Sequence, residues 1–305
     1  MSDIEIRSVS EDNIGDAARV FNSFAGKVPH WFPVDAAALR EYVLDGARTL
    51  YDVPFPFEPE ACLVGYADGQ PRGFVHAGVA PRLGPKEHEE RTRGANAVIR
   101  CFLFDESYPA LGREMLDRVM AFFKSRKQTR TIAFEGELGY PNMSGGAGYC
   151  PVGLGHVISL LEGRRFGESF RFTWYEGTLE KQAPPEFPAG VTIRREKERR
   201  ASGDMLKYTL SCDEEDTSVC YVALMRELVG KPGEEQAYIY NNTTFPGHRR
   251  KGYAGLTMRY VLADLGEFAI KRLFILVPVD NLAARKLYEK SGFSPGEECI
   301  EMEMP

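Results

Sequence analysis

Three cations, Arg249, Arg250 and Lys251, stand side by side where an apolar strand, Gln236–Tyr240, gives way to a helix. A helix N-terminus carries roughly +0.5 of an elementary charge, so each cation in its first turn costs about 0.3–1 kcal/mol. A bound anion removes the conflict, because outward-pointing N–H groups, the dipole and the cations then all favour the same phosphates. Gly252, which has no Cβ, lets the backbone approach such a ligand closely. The same residues also fit a solvated basic turn, and what separates the two readings lies further along the chain.

The elements around this turn read as two similar series. In the first half, Ile4–Val9 alternates as a strand, and Ile14, Ala17, Val20 and Phe21 recur at helical spacing. Asp35 is placed to cap a second helix with Leu39, Tyr42 and Val43 on its apolar face. Strands Ala61–Tyr66 and Gly73–Val79 bracket Asp68-Gly69, a dipeptide suited to a tight hairpin. A buried strand follows at Ala97–Phe104, then a helix around Met115–Phe123 and a strand at Thr131–Phe134. The glycine-crowded stretch Gly136–Gly155 reads as a connection or as the wall of a substrate cavity. A short helix, Val157–Arg164, and a strand, Ser169–Tyr175, complete the half.

The proline-rich segment 181–190 reads as a linker between a domain at 1–180 and one at 191–305. In the second half, only some eleven residues separate the strand at Val191 from the next at Leu206–Ser211, so the first half's two early helices have no counterpart. An acidic tip, Asp213–Asp216, leads to Cys220–Leu224, and Gln236–Tyr240 then feeds the basic turn. Val261, Leu262, Leu265 and Phe268 share a helical face. Lys271–Val277 is a buried strand, and a helix over Leu282–Lys290 has Asp280 or Asn281 as its cap and Gly292 past its end. The shared order of elements indicates a duplication.

Composition narrows the field. The chain has 305 residues, of which 43% are hydrophobic, enough for a core in each of two domains. No run approaches the ~18 apolar residues of a membrane span, and the start lacks the pattern of a signal peptide, so a cytoplasmic protein without membrane partners is expected. The six cysteines are scattered without metal-ligand spacing, so no metal is expected. A net charge of −6 argues against nucleic acid and leans towards cationic acceptors.

Two motifs combine to suggest a family. Arg249-Arg-Lys-Gly252-Tyr-Ala254 fits Gln/Arg-x-x-Gly-x-Gly/Ala, and Asn281, Ala284, Leu287, Tyr288, Gly292 and Phe293 fit Asn-x-x-Ala-x-x-Leu-Tyr-x-x-x-Gly-Phe at the expected distance downstream. On these residues the chain resembles the GNAT superfamily of acyl-CoA-dependent N-acyltransferases, over residues 236–294. The resemblance implies an α+β fold, αβα layered around a mixed, mostly antiparallel sheet, as two GNAT-like domains in tandem, with acetyl-CoA as cosubstrate. It places the backbone of Asn242, Thr243 and Thr244 along the pantetheine arm and thioester. The amides of Arg250, Lys251, Gly252, Tyr253 and Ala254, next to Arg249, hold the pyrophosphate. Asn281 contacts the cofactor near its arm or serves as a cap alone. Tyr288 lies close to the sulfur, or is a half-buried helix residue beside Leu287.

The implied reaction transfers an acetyl group to a primary amine, of a small molecule or a peptide, by direct attack in a ternary complex. An alkyl amine with a pKa near 10.4 is only about one part in a thousand neutral at pH 7, so a base or a low-pKa acceptor is required. Backbone N–H groups at a splayed strand would stabilise the oxyanion, and Tyr288 would protonate the departing thiolate. Glu235, acting through water, is the candidate base, with surface charge as its other reading. Aligning the halves sets Arg249, Gly252 and Ala254 against Ser107, Ala110 and Gly112, and Tyr288 and Gly292 against Leu161 and Arg165. The first domain is therefore expected to be a degenerate copy, a wall or scaffold that offers acceptor surface. A non-catalytic acyl-CoA sensor is the alternative function. Peptide or tRNA-dependent aminoacyl transfer fits less well, and a homodimer is left open.

Overall fold

The computed structural model describes residues 3–45, 60–80, 96–126, 130–200 and 203–304. Two compact units divide the chain, Met1–Arg171 with Cys299–Pro305, and Phe172–Glu298.

The first unit contains β1 (Ile4–Ser8), α1 (Ile14–Ala25), α2 (Ala36–Val43), β2 (Glu60–Ala67), β3 (Gln70–Ala80), β4 (Asn96–Phe104), α3 (Pro109–Lys124), β5 (Arg130–Ala133), β6 (Cys150–Pro151) and α4 (Gly155–Glu162). The helical spacing of Ile14, Ala17, Val20 and Phe21 buries one face of α1, and the Asp35 carboxylate accepts from Ala38 N–H at 2.7 Å to start α2. Asp68 and Gly69 take φ of 50° and 73°, the left-handed pair that a two-residue hairpin needs. The sheet runs β1-β2-β3-β4-β5, antiparallel except for the β4–β5 pair. Its last strand comes from the far end of the chain, where Met302 pairs with Ala133 and Met304 with Thr131.

The glycine-rich stretch is interior rather than a surface connection. Residues from Gly136 to Gly148 are buried, or nearly so. The backbone is folded tightly against itself: a Cβ on Gly139 would stand 2.5 Å from Gly146 O, and one on Gly148 2.3 Å from Glu135 O. Glycine is therefore required by contact here, not by flexibility.

The second unit begins within β7 (Gly167–Thr178) and continues through β8 (Val191–Arg200), β9 (Gly203–Cys212), β10 (Glu215–Leu224), α5 (Met225–Val229), β11 (Gln236–Thr244), α6 (Tyr253–Glu267), β12 (Arg272–Pro278), α7 (Leu282–Lys290) and the start of β13 (Ser294–Met304). Segment 181–190 lies inside this unit, ahead of β8. Its sheet runs β7-β12-β11-β10-β9-β8, with β11–β12 the parallel pair. β8 pairs directly with β9 from Val191↔Cys212 to Arg200↔Gly203, so nothing corresponds to α1 and α2. The acidic tip is shorter than its composition suggests. Only Asp213 and Glu214 form the turn, at φ 50° and 69°, while Asp216 sits in β10 with both carboxylate oxygens 3.0 Å from the Arg194 guanidinium.

Both units are thus α+β, with mostly antiparallel sheets. All six cysteines are free thiols, five of them buried. Among the described residues, no helix is long and apolar enough to cross a membrane.

Candidate functional site

The site in the second unit is built on a strand pair that parts. β11 and β12 stay together for only three residue pairs, Gln236↔Arg272, Ala237↔Leu273 and Tyr238↔Phe274. Beyond that, each strand is held by its other neighbour. β7 keeps β12 as far as Pro278↔Phe172, and β10 keeps β11 as far as Ser218↔Thr244. The β10–β11 ladder steps from Val222↔Ile239 to Tyr221↔Asn241, so Tyr240 is an extra residue, a bulge that bends β11 away where the gap opens. The facing edges past Tyr238 and Phe274 present backbone N–H and C=O groups without strand partners.

Polar side chains along β11 are left in the same condition. Asn242 Oδ1, Asn242 Nδ2 and Thr244 Oγ1 are all buried without a hydrogen bond. Asn242 stands opposite Cys220 in the ladder, and Thr244 opposite Ser218, whose hydroxyl is satisfied by Thr257 Oγ1 at 2.7 Å. Each unsatisfied buried group costs about 1–3 kcal/mol, so three such atoms on two alternate residues of one strand mark a place shaped for a ligand's polar groups.

The gap leads at its open end to the basic turn. Arg249 folds back so that Nε donates to Thr244 O at 3.2 Å. Arg249, Arg250 and Lys251 are exposed and have no carboxylate partner among the described residues. Gly252 is the N-cap of α6 at φ 86°, with no side chain to satisfy the helix start. The first helical bond runs from Leu256 N–H to Gly252 O at 3.1 Å, leaving the preceding amides free of helical acceptors. A Cβ on Gly252 would meet nothing within 4 Å, so the glycine is required by its left-handed backbone and faces open space. Nearby, His248 Nε2 lies 3.1 Å from a Glu215 carboxylate oxygen, and its ring tilts against Tyr253.

α7 brings in Tyr288, which is 3% exposed and packed between Tyr175 and Phe293, at 6.4 and 5.6 Å between ring centroids. Burial pushes the phenol pKa well up, and the Asn242 amide, facing it without reaching a hydrogen bond, pulls the other way. The phenol therefore stays protonated at neutral pH. Asn281 is exposed, and its Oδ1 accepts from Ala284 N–H at 3.1 Å, so its side chain caps α7.

Glu235 does not reach the site. It is exposed and ion-paired with Lys271, at the end of β11 where β11 and β12 are still joined. Seven residues at about 3.3 Å each put it roughly 23 Å along the strand from Asn242. Strand length, which the residue types alone do not convey, removes it as the base.

A parted parallel strand pair, an uncapped basic helix start and a tyrosine on the next helix thus converge in one unit. The family model described as "Acetyltransferase (GNAT) family" matches residues 174–293. This segment is a GNAT acetyltransferase domain. A tandem GNAT protein from the clavulanic acid biosynthesis pathway superposes with a TM-score of 0.68 at 13% identity, covering 99% of this chain and 98% of that one. A GCN5-related N-acetyltransferase from Sphaerobacter thermophilus gives 0.63 at 12% identity, covering 98% and 95%. A GCN5-related glucosamine N-acetyltransferase region of a fungal multi-domain GH3 beta-N-acetylglucosaminidase gives 0.69 at 9% identity, covering 100% of this chain and 38% of that one. No curated protein matches the chain. The fold is that of tandem GNAT proteins, and the chain is an acyltransferase.

The first GNAT-like unit repeats the framework with its site filled. β4 and β5 stay paired for four residues, Asn96↔Arg130 to Ile99↔Ala133, and the β3–β4 ladder steps from Ala77↔Ile99 to His76↔Cys101. The bulge residue, matching Tyr240, is Arg100, 1% exposed. Its guanidinium donates to Leu138 O, Tyr42 O and Gly139 O and lies 4.2 Å from the Tyr140 ring centroid. At the end of β4, where the second unit has Thr244, Phe104 packs so closely on α3 that a Cβ on Gly112 would stand 2.7 Å from its ring. His156 Nε2 lies 2.9 Å from Phe104 O, and its ring meets the Phe104 ring edge-on.

The two closing helices align as their sequences suggest. Phe166 N–H donates to Leu161 O and Phe293 N–H to Tyr288 O, with Arg165 at φ 70° and Gly292 at φ 88°. The helix starts align differently. α3 is capped by Tyr108 where α6 is capped by Gly252, so Tyr108, two residues before Ala110, occupies the equivalent place.

Proposed function

We propose that the GNAT domain transfers an acetyl group from acetyl-CoA to a primary amine by direct attack in a ternary complex. The observation that carries this reading is the line of unsatisfied groups from the uncapped start of α6, through Thr244 and Asn242, to Tyr288. The cosubstrate supplies an acyl group activated as a thioester. The amides from Arg250 to Ala254, beside Arg249 and Lys251, bind its diphosphate. The unpaired edge of β11 and the Asn242 and Thr244 side chains hold the amide-bearing arm.

The amine nitrogen attacks the thioester carbonyl carbon. A C–N bond forms, and the carbonyl oxygen gains charge opposite the free N–H groups past the Tyr240 bulge, which stabilise it without reorganising. Collapse breaks the C–S bond, and Tyr288, protonated by virtue of its burial, gives its proton to the departing sulfur. The amine's proton passes to solvent. The amine acceptor belongs to a small molecule or a peptide.

Tyr288→Phe tests this directly. Turnover with an amine acceptor should fall about 100-fold, the size of a lost general acid, while acetyl-CoA affinity changes little. Unchanged turnover would remove Tyr288 from the chemistry, and acetyl-CoA binding without transfer to any amine would leave a sensor.

A further inference from the structure

α7 is fastened to the sheet by a polar clamp that no step above uses. Tyr175, on β7 opposite Ile275, is fully buried as a residue, and its hydroxyl reaches α7 between two charged side chains. It accepts from Arg285 Nε at 3.0 Å and donates to Glu289 Oε1 at 3.1 Å. Arg285 Nη1 also donates to Val279 O at 3.1 Å, so the same guanidinium holds the chain between β12 and α7. Both bonds to the hydroxyl have an ionised partner, which makes them stronger than bonds between neutral groups.

The clamp bears on one residue. Arg285, Tyr288 and Glu289 stand at i, i+3 and i+4 and share a face of α7. The Tyr175 ring is one of the two between which Tyr288 packs. A hydroxyl fixed between positions 285 and 289 therefore sets the roll of α7 over β7, and with it the direction of the Tyr288 phenol.

The first unit closes the same framework without such a clamp. Tyr175 follows Phe166 by nine residues and Met302 follows Phe293 by nine, and Met302 faces Ala133 on β5 as Tyr175 faces Ile275 on β12. Leu161 takes the place of Tyr288, and Ile158, three residues before it, that of Arg285. Met302 and Leu161 belong to one apolar core, so packing a helix on this strand requires neither the hydroxyl nor the guanidinium. The clamp and the proton donor occur together in one unit, and the other unit has neither.

We infer that Tyr175 is a positioning residue for the transfer step: its hydroxyl, held by Arg285 and Glu289, aims the Tyr288 phenol at the departing sulfur. The inference rests on the acyl-transfer reading and extends it to a residue that touches no reacting atom. Tyr175 directs its own proton to Glu289, so it is not a second donor. β7 follows α4 in the chain, and the first half of the duplication thus supplies this part of the second unit's site.

Tyr175→Phe keeps the ring and removes the hydroxyl. In the full chain, thiol release from acetyl-CoA is followed with ethylamine, spermidine or a lysyl peptide, whichever turns over fastest. kcat should fall about tenfold, with KM for acetyl-CoA little changed, because a misaimed donor costs rate rather than binding. In a Tyr288→Phe background the same change should cost nothing further. Glu289→Ala, at an exposed position that spares the core, should also slow turnover, with Glu289→Gln, which keeps an acceptor, in between. A second readout needs no substrate. In protein labelled with 13C at tyrosine Cζ, the Tyr288 signal, assigned by its loss in Tyr288→Phe, should move or broaden in Tyr175→Phe and in Glu289→Ala. An unchanged kcat in Tyr175→Phe, an equal loss in both backgrounds, or an unmoved Tyr288 signal would each overturn the positioning role and leave the acyl-transfer reading standing. A moved signal in a protein that acetylates none of the three amines would remove the amine-transfer reading and reduce the clamp to a structural fastening.

Discussion

Asn242 shows how a single side chain can be worse for the folded state than a simpler substitute. Its carboxamide has one acceptor and a donor group, all buried and unmatched, in a unit otherwise closed by apolar packing. An amide-bearing ligand supplies the complement. Asn242→Leu, similar in volume, should therefore raise the thermal stability of the ligand-free protein by up to about 1 kcal/mol, because it removes unsatisfied groups. The same change should weaken acetyl-CoA binding about tenfold. Denaturation scans and titration calorimetry read the two effects separately. A loss of stability would mean that the amide is satisfied in the free protein. The residue types at β11 were readable from the sequence, but their unmet hydrogen bonds were not, because satisfaction depends on what stands across a gap.

At the scale of elements, the helices that carry the site were legible. The bounds of α7, the cap at Asn281 and the Asp35 cap of α2 follow from local chemistry that acts within a turn. The bulges at Tyr240 and Arg100 were not legible, since an extra residue in one strand is defined only against its partner. The burial of Gly136–Gly148 was hidden for a related reason. Glycine signals both loose loops and backbones pressed together, and only tertiary contact distinguishes them. Gly252 belongs at this scale because it sets how α6 begins. Gly252→Ala places a Cβ at φ 86°, costing about 1–2 kcal/mol without a steric clash. It should lower acetyl-CoA affinity by turning the first amides, with little change in turnover at saturation. An altered kcat with an unchanged Kd would argue that the turn serves chemistry rather than binding.

For the molecule as a whole, duplication has given two frameworks with opposite fates. One leaves its strand gap lined with unmet polar groups. The other fills the same place with Arg100 and Phe104, and has Leu161 where a proton donor would stand. Four tyrosines across the two units, Tyr66, Tyr208, Tyr240 and Tyr288, are shifted in one direction. Burial and Asp16 push Tyr66 up to about 12, and burial also drives Tyr208, Tyr240 and Tyr288 upwards. A phenol in the unfolded chain loses its proton near pH 10. Above that pH the unfolded chain binds fewer protons than the folded one, so stability falls as pH rises, having been unaffected by these groups below it. Denaturant midpoints should hold between pH 8 and about 9.5 and drop steeply beyond about 10. A flat profile to pH 11.5 would show that these phenols ionise as easily in the folded protein as in the unfolded chain.

The tail strand has a consequence for the timetable of biosynthesis. β5 is made about 170 residues ahead of its partner, Met302–Met304. The first unit therefore keeps a sheet edge open until the second unit has been synthesised. The unit that holds Arg100 and Phe104 is thus begun before the other and completed after it.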